Sequence, residues 1–161
     1  MFRLVMAFTG WLQNTPLALA VGGSDWAYPY IQLTHFTGLS LWLGTSVAVD
    51  LRLLGLIKGT QKPDRLSDAL FFLNWIGFGI AIIGGGLLFS ISAQNYVLNA
   101  AFRTKLGVLL PLALVSHIVV QRKSHAWSQT PKPPVAAKLI SSIELMLWLS
   151  VAAAAVSIPY F

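Results

Sequence analysis

The chain has 161 residues, of which 56% are hydrophobic and 10% are charged, and its formal net charge is +6. Soluble domains carry about 25% charged residues, so this chain has too few to cover a water-facing surface. The composition excludes an ordinary soluble enzyme, a disordered chain and a nucleic-acid-binding module, and it indicates one integral membrane domain. Cysteine is absent, which excludes disulfides, thiolate metal sites and iron–sulfur clusters.

Residues 1–25 precede the long apolar runs and are predicted to form an interfacial helix followed by a turn. Arg3, an apolar stretch and the small residues at 18–20 are also typical of a signal peptide. The stretch is interrupted by polar residues at 13–14 and by Pro16. These interruptions favour an uncleaved amphipathic helix that lies in the outer membrane interface and ends near Pro16.

Four apolar runs are long enough to cross a bilayer, which takes about 20 residues as a helix. Backbone groups in lipid must be satisfied internally, so each run is predicted to be helical. The predicted spans cover residues 27–56, 69–92, 102–120 and 135–160. Pro111 is predicted to kink the third helix. The predicted fold is all-α, a bundle of four transmembrane helices preceded by the interfacial helix, in a single domain over residues 1–161.

The basic residues predict the orientation of the bundle. Eight of the eleven are assigned to the first and third connections, including the adjoining helix ends, and three lie on the opposite side. The eight are Arg52, Lys58, Lys62, Arg65, Arg122, Lys123, Lys132 and Lys138, and the three are Arg3, Arg103 and Lys105. Cytoplasmic loops of membrane proteins are enriched in Lys and Arg. The first and third connections are therefore predicted to be cytoplasmic, with both termini on the outer side.

Glycines are concentrated in the second run. They are Gly77, Gly79, Gly84, Gly85 and Gly86. Small residues let helix backbones approach closely in lipid, so these positions indicate close helix packing. The alternative is that they leave room for a flat cofactor or a lipid.

An outer polar layer is predicted around His35, because an ionisable group inside a span is costly and marks a candidate functional position. His35 shares a helical face with Gly38 and Trp42. A neutral imidazole is a good haem-iron ligand, and a neighbouring glycine makes room for the macrocycle. Alternatively, His35 hydrogen-bonds a nearby threonine or a backbone carbonyl of another helix. Lys105 and Arg103 lie at a similar depth, where Lys105 is a candidate sixth ligand and both are candidate partners of the haem propionates.

An inner polar layer lies nearer the basic connections. Its members are Asp50, Arg52, Asn74, His117 and Glu144. This layer is predicted to be a second cofactor site, a proton path or a buried ionic staple. Glu144 is the only acidic residue of the fourth run, so it needs a partner from another helix, and His117 and Asn74 are the candidates.

The two histidines do not suit a simple bis-histidine haem. His35 and His117 are predicted to lie in opposite halves of the bilayer, about 10–15 Å apart along its normal. Lys105 and His117 are twelve residues apart, which is about 120° around an ideal helix. They are therefore not expected to face one site.

The first run reads His35-Phe-Thr-Gly38, then Gly44, then Asp50-Leu-Arg-Leu-Leu-Gly55, and the third opens Phe102-Arg-Thr-Lys105. Together these motifs resemble a family of small bacterial inner-membrane proteins, marked by a histidine–glycine pair followed by Asp-Leu-Arg-Leu-Leu-Gly. More loosely, the layout is similar to the four-helix bundles of cytochrome b561-type and copper-resistance D-type membrane proteins. The likeness implies a bacterial inner-membrane location, haem b, electron transfer or copper handling, and His35 as a ligand.

The leading functional prediction is an electron-transfer subunit that binds haem b through His35 within a larger membrane assembly. Its expected partners are lipids and either other membrane subunits or further copies of the chain, without nucleic acid. The alternative is a non-redox accessory subunit that binds lipid and neighbouring helices. A third prediction is a proton or ion path that uses Asp50, His117 and Glu144. No nucleophile–base pair stands out, so the protein is not expected to be an enzyme by itself.

Overall fold

The structure is a computed structural model that describes residues 2–57, 62–128 and 132–160. In these ranges every regular element is helical, which confirms the all-α prediction for the described part of the chain. The helices are α1 (Phe2–Gln13), α2 (Pro16–Gly22), α3 (Ala27–Leu53), α4 (Pro63–Ile91), α5 (Ala93–Leu98), α6 (Ala100–Thr104), α7 (Leu110–Ser128) and α8 (Val135–Ser157). A π-helical turn at Lys105–Leu109 joins α6 to α7, and a 3₁₀ turn at Ile158–Tyr160 follows α8.

Three helical segments are long enough and apolar enough to cross a membrane. They are Asp64–Ile91, Ala100–Trp127 and Val135–Tyr160, which correspond to the second, third and fourth predicted spans. Helix α3 has 27 residues, which is sufficient length, but its polar residues keep it outside this set of candidate spans. Three of the four predicted runs therefore form helices that could cross a membrane, and a bundle of four spans is not shown.

The N-terminal segment differs from the predicted single helix. Pro16 begins α2 instead of only ending α1, because proline suits the first helical position, where no amide hydrogen is needed. The Thr15 side chain caps this helix by accepting a hydrogen bond from the Ala18 amide at 3.3 Å. Helices α1 and α2 are bent by 64°, and together they could form one broken span or a re-entrant loop.

The third run contains a π-helical turn just before Pro111, where the sequence predicts a kink. The Leu110 amide donates to the Lys105 carbonyl, five residues earlier. A proline in a helix lacks an amide hydrogen and crowds the carbonyl four residues before it. The wider turn relieves this crowding, and π turns inside α-helices frequently occur at functional sites.

Contacts between helix ends define two ends of the bundle. At one end, Nε2 of His125 lies 3.1 Å from Oδ1 of Asp68, so the α3–α4 and α7–α8 connections lie together. At the other end, Gln13 Nε2 donates to Gln94 Oε1 at 3.2 Å, which places α1 beside α5. The two basic connections thus share one end, as the sequence predicts, although Lys58 lies outside the described residues.

Helices α3 and α4 approach closely at two glycines. A Cβ atom on Gly38 would lie 2.6 Å from the Ala81 amide nitrogen, and one on Gly77 would lie 2.6 Å from the Trp42 amide nitrogen. Since real Cβ atoms do not approach backbone atoms this closely, only glycine fits at either position. By contrast, a Cβ on Gly79 would meet no atom within 4 Å. The sequence predicts either close helix packing or room for a cofactor or lipid at the glycines of α4, and Gly77 serves close helix packing.

Large apolar side chains cover the outside of the bundle, and two carboxyl groups are buried inside it. Phe72, Ile83 and Leu149 on the outside of the bundle are 76%, 68% and 71% exposed, respectively. Asp50 and Glu144 are fully buried. Soluble proteins place large apolar side chains inside and rarely bury carboxyl groups. This arrangement is the one expected where lipid surrounds the helices.

Candidate functional site

Four helices contribute one side chain each to a buried polar cluster. Asp50 comes from α3, Asn74 from α4, His117 from α7 and Glu144 from α8, and none is more than 1% exposed. The structure thus brings together four of the five residues assigned to the inner polar layer. The fifth, Arg52, points away, since its Nη1 donates to the Ile57 carbonyl at 2.7 Å beyond the end of α3.

Asn74 ties α4 to α3 and has a fixed orientation. Its Nδ2 lies 3.0 Å from the Trp42 carbonyl oxygen, 2.8 Å from Thr45 Oγ1 and 2.9 Å from Ser46 Oγ. Both hydroxyl groups donate to backbone carbonyls of α3, so their oxygens are acceptors. Three acceptors on one side require the amide nitrogen there. The amide oxygen therefore faces the opposite direction, towards His117.

His117 bridges α4 and α8. Its Nε2 lies 3.0 Å from Oδ1 of Asn74, and its Nδ1 lies 2.7 Å from Oε1 of Glu144. The same carboxyl oxygen accepts a hydrogen bond from Trp148 Nε1 at 3.1 Å. Because an amide oxygen only accepts, the His117 Nε2 atom carries a hydrogen. Both ring nitrogens are engaged in this arrangement, which leaves His117 neither of them for a haem iron.

Three tryptophans surround the His117 ring. The ring centroids of Trp42, Trp75 and Trp148 lie 6.4, 6.0 and 6.3 Å from that of His117. Their bulk separates the hydrogen-bonded pair from the outside of the bundle, in surroundings where electrostatic interactions are strong. Helical spacing predicts that Trp42 shares a face with His35, and it does not predict this aromatic enclosure.

Asp50 lies beside Glu144 but has no hydrogen bonds like those that join Glu144 to His117 and Trp148. The two carboxyl groups are close enough to interact electrostatically. Among the described residues, neither oxygen of Asp50 has a hydrogen-bond partner, and the same holds for Oε2 of Glu144 and Oγ of Ser141. Ser141 lies next to Asp50 and is fully buried. Ser141 is not among the residues predicted for the inner layer, although its position three residues before Glu144 places both on one helical face.

His35 lies apart from this cluster. Its Nδ1 lies 2.7 Å from the Ala81 carbonyl oxygen of α4, which is the backbone contact that the sequence analysis left open. A Cβ on Gly84 would lie 2.9 Å from His35 Cβ, and one on Gly85 would lie 3.0 Å from His35 Cε1. The two glycines thus let the imidazole lie against α4. No described residue hydrogen-bonds Nε2.

Lys105 accompanies His35 at the start of the π-helical turn. The two side chains are close enough to interact electrostatically, and Lys105 is half-buried while Arg103 is exposed. The structure therefore brings together His35 and Lys105 of the predicted outer layer. It does not bring His117 to them. Among the described residues, no three His, Cys, Asp or Glu side chains form a group that could hold a metal ion.

Comparison with known protein families, with curated proteins and with solved structures finds no match to this chain. The resemblance to small bacterial inner-membrane proteins stays a prediction that rests on the motifs quoted above. The fold and its polar residues define the class of protein. It is an all-helical protein with three candidate membrane spans, a buried polar cluster and a separate half-buried histidine.

Proposed function

We propose that the protein is an electron-transfer subunit of a membrane complex, and that Nε2 of His35 binds the iron of haem b. The hydrogen bond between His35 and the Ala81 carbonyl carries this proposal. A carbonyl oxygen only accepts, so Nδ1 has the hydrogen and Nε2 has a lone pair. Metal-binding histidines commonly donate their other ring N–H to a backbone carbonyl, which fixes the tautomer and the ring orientation.

The surroundings of His35 suit an axial ligand. Contact with Gly84 and Gly85 limits movement of the imidazole, and a fixed ligand limits the reorganisation that accompanies electron transfer. Lys105 supplies a positive charge beside His35, which would pair with a haem propionate. Haem b, when bound, supplies a one-electron redox group, while the protein supplies the ligand, its orientation and the nearby charge.

The absorption spectrum of the purified protein tests this proposal. The protein, expressed with a haem precursor supplied, is expected to show a Soret band and reduced-minus-oxidised α and β bands. His35→Gln keeps a polar side chain of similar size but removes the imidazole, so it is expected to abolish these bands. His125→Gln is the matched control, because His125 is 60% exposed and lies beside Asp64 and Asp68, away from His35. This variant is expected to retain the absorption bands. A colourless wild-type protein would contradict the proposal.

A non-redox accessory subunit is the second candidate function. The observation that favours it is the same contact between His35 and Ala81, since a hydrogen bond to α4 already gives the imidazole a structural partner. The exposed apolar side chains on the outside of the bundle suit contact with lipid and with neighbouring helices. A colourless protein whose His35→Gln variant melts at a lower temperature than the wild type would support this candidate.

We also propose a location and topology, with the chain in the inner membrane of a bacterium, α3 as a fourth span and α1 in the outer interface. The length of α3 and its close packing along α4 support the fourth span. The shared end of the two basic connections supports a cytoplasmic position for that end, with both termini outside.

The absence of cysteine makes this topology directly testable with single cysteines. Asn95 in α5 and Lys123 in α7 are both exposed and lie towards opposite ends of the bundle. We expect a membrane-impermeant maleimide to label Asn95→Cys in intact cells whose outer membrane has been permeabilised. Lys123→Cys is expected to react only after the inner membrane is broken. The reverse pattern would contradict the proposed orientation.

A further inference from the structure

The polar cluster contains two carboxyl groups, but its hydrogen bonds and positive charge compensate only one of them. Its first carboxyl group, Glu144, is balanced by His117. The Asn74 amide places a hydrogen on His117 Nε2, so one further proton is shared between Nδ1 and Oε1 of Glu144. The pair is either imidazolium with carboxylate or imidazole with carboxylic acid. Both forms contain the same number of protons and have no net charge.

Asp50 has no comparable partner. The groups that interact with it are Glu144 and Ser141 of α8. Of the other cluster members, His117 is already bound to Glu144, and Asn74 is neutral and bound to His117. Among the described residues, no Lys, Arg or His forms an ion pair with Asp50. An isolated carboxylate in such surroundings is costly, and the usual response is that the group takes up a proton.

Two buried oxygen atoms are available to accept a hydrogen bond from a protonated Asp50. Ser141 is fully buried, and its hydroxyl interacts with the Asp50 carboxyl group. It makes no hydrogen bond of good geometry with a described residue. Oε2 of Glu144 is also without a partner in this part of the chain. A protonated Asp50 has one O–H donor, and both of these oxygens belong to residues that interact with Asp50.

We propose that the cluster is a proton-binding site in which the carboxyl group of Asp50 binds the exchangeable proton. Binding converts the Asp50 carboxylate and one proton from water into a carboxylic acid, and release reverses this step without any other reactant. The His117–Glu144 pair stays neutral throughout and holds the second carboxyl group in place. This site is separate from His35, so the inference goes beyond the proposed haem function and does not depend on it.

Infrared spectroscopy of the full chain in lipid tests the proposal, because only a protonated carboxyl group gives a C=O stretching band clear of the carboxylate and amide bands. We expect the wild type to show this band at neutral pH and to lose it at high pH. Asp50→Asn is expected to remove the part of this band that belongs to Asp50. Asp68→Asn, which changes an exposed carboxyl group beside His125, is expected to retain it.

Isotope labelling gives a reading that does not depend on whether Asp50→Asn folds. Carbon-13 in the side-chain carboxyl of aspartate is expected to shift the wild-type band. Glu144 is the only glutamate in the sequence, so a band that shifts only with labelled glutamate would overturn the assignment to Asp50. No band at neutral pH would also overturn it. Loss of the band when sodium chloride replaces choline chloride would identify a cation site instead and overturn proton binding.

Discussion

Replacing Gly38 or Gly77 with valine is expected to force α3 away from α4 and to destabilise the bundle by about 3 kcal/mol or more, above the usual range for overpacking. The added Cβ would lie 2.6 Å from a backbone nitrogen at either position. A side-chain neighbour can often rotate away, but a helix backbone can move only as a unit. The measurement is the apparent melting temperature in detergent, followed by tryptophan fluorescence and by loss of the monodisperse peak on size exclusion.

Two other glycines provide the matched control for this prediction. A Cβ on Gly79 of α4 or on Gly44 of α3 would meet no atom within 4 Å. Gly79→Val and Gly44→Val therefore make the same chemical change in the same two helices without a clash. We expect their melting temperatures to stay close to that of the wild type. Equal losses at all four glycines would show that glycine matters for the helices themselves rather than for the contact between them.

Replacing His117 with leucine is the second change with a large expected effect, on the order of 3–5 kcal/mol, because removing one member of a buried pair leaves the other without compensation. Glu144 would keep only the hydrogen bond from Trp148, and Asn74 Oδ1 would lose its donor. Reversible unfolding in mixed micelles measures the difference.

The double variant makes this test specific to the pair. If His117 and Glu144 stabilise the bundle through each other, His117→Leu combined with Glu144→Leu should cost clearly less than the sum of the two single changes. His125→Leu removes an exposed histidine that lies beside Asp68, and surface pairs contribute about 0–1 kcal/mol. Strict additivity of the two buried changes would indicate that the observed hydrogen bond contributes little to stability.

The sequence could predict the depth of the cluster residues along the helix axes. The rise per residue in a helix is nearly constant, so counting from the ends of the apolar runs places Asp50, Asn74, His117 and Glu144 in one layer. The need of a buried carboxyl group for a partner also indicated His117 or Asn74 as the partner of Glu144. The structure supplies the geometry: His117 contacts both.

Rotation about each helix axis was the part that the sequence could not predict. Hydropathy does not show whether Ser141 faces Asp50 or lipid, nor that Trp75 faces His117, because serine and tryptophan occur in both surroundings. Rotation depends on contacts such as that between Gly38 and the backbone of α4, which only the assembled bundle reveals. For α3, the polar residues that build the site also lower its hydropathy, so this predicted span is not among the candidates that the assembled helices provide.

The π-helical turn at Lys105–Leu109 changes the angular phase of the residues that follow it. In an uninterrupted α-helix, Lys105 and His117 would be about 120° apart. A π turn places roughly one extra residue in the turn, so the twelve-residue separation acts like eleven α-helical steps, and the two side chains come within roughly 20° of each other. One out-of-phase residue therefore lets a single helix present Lys105 to His35 and His117 to Asn74 on nearly the same side. Deleting one residue from this turn should restore the uninterrupted periodicity and rotate Lys105 and His117 away from their common side.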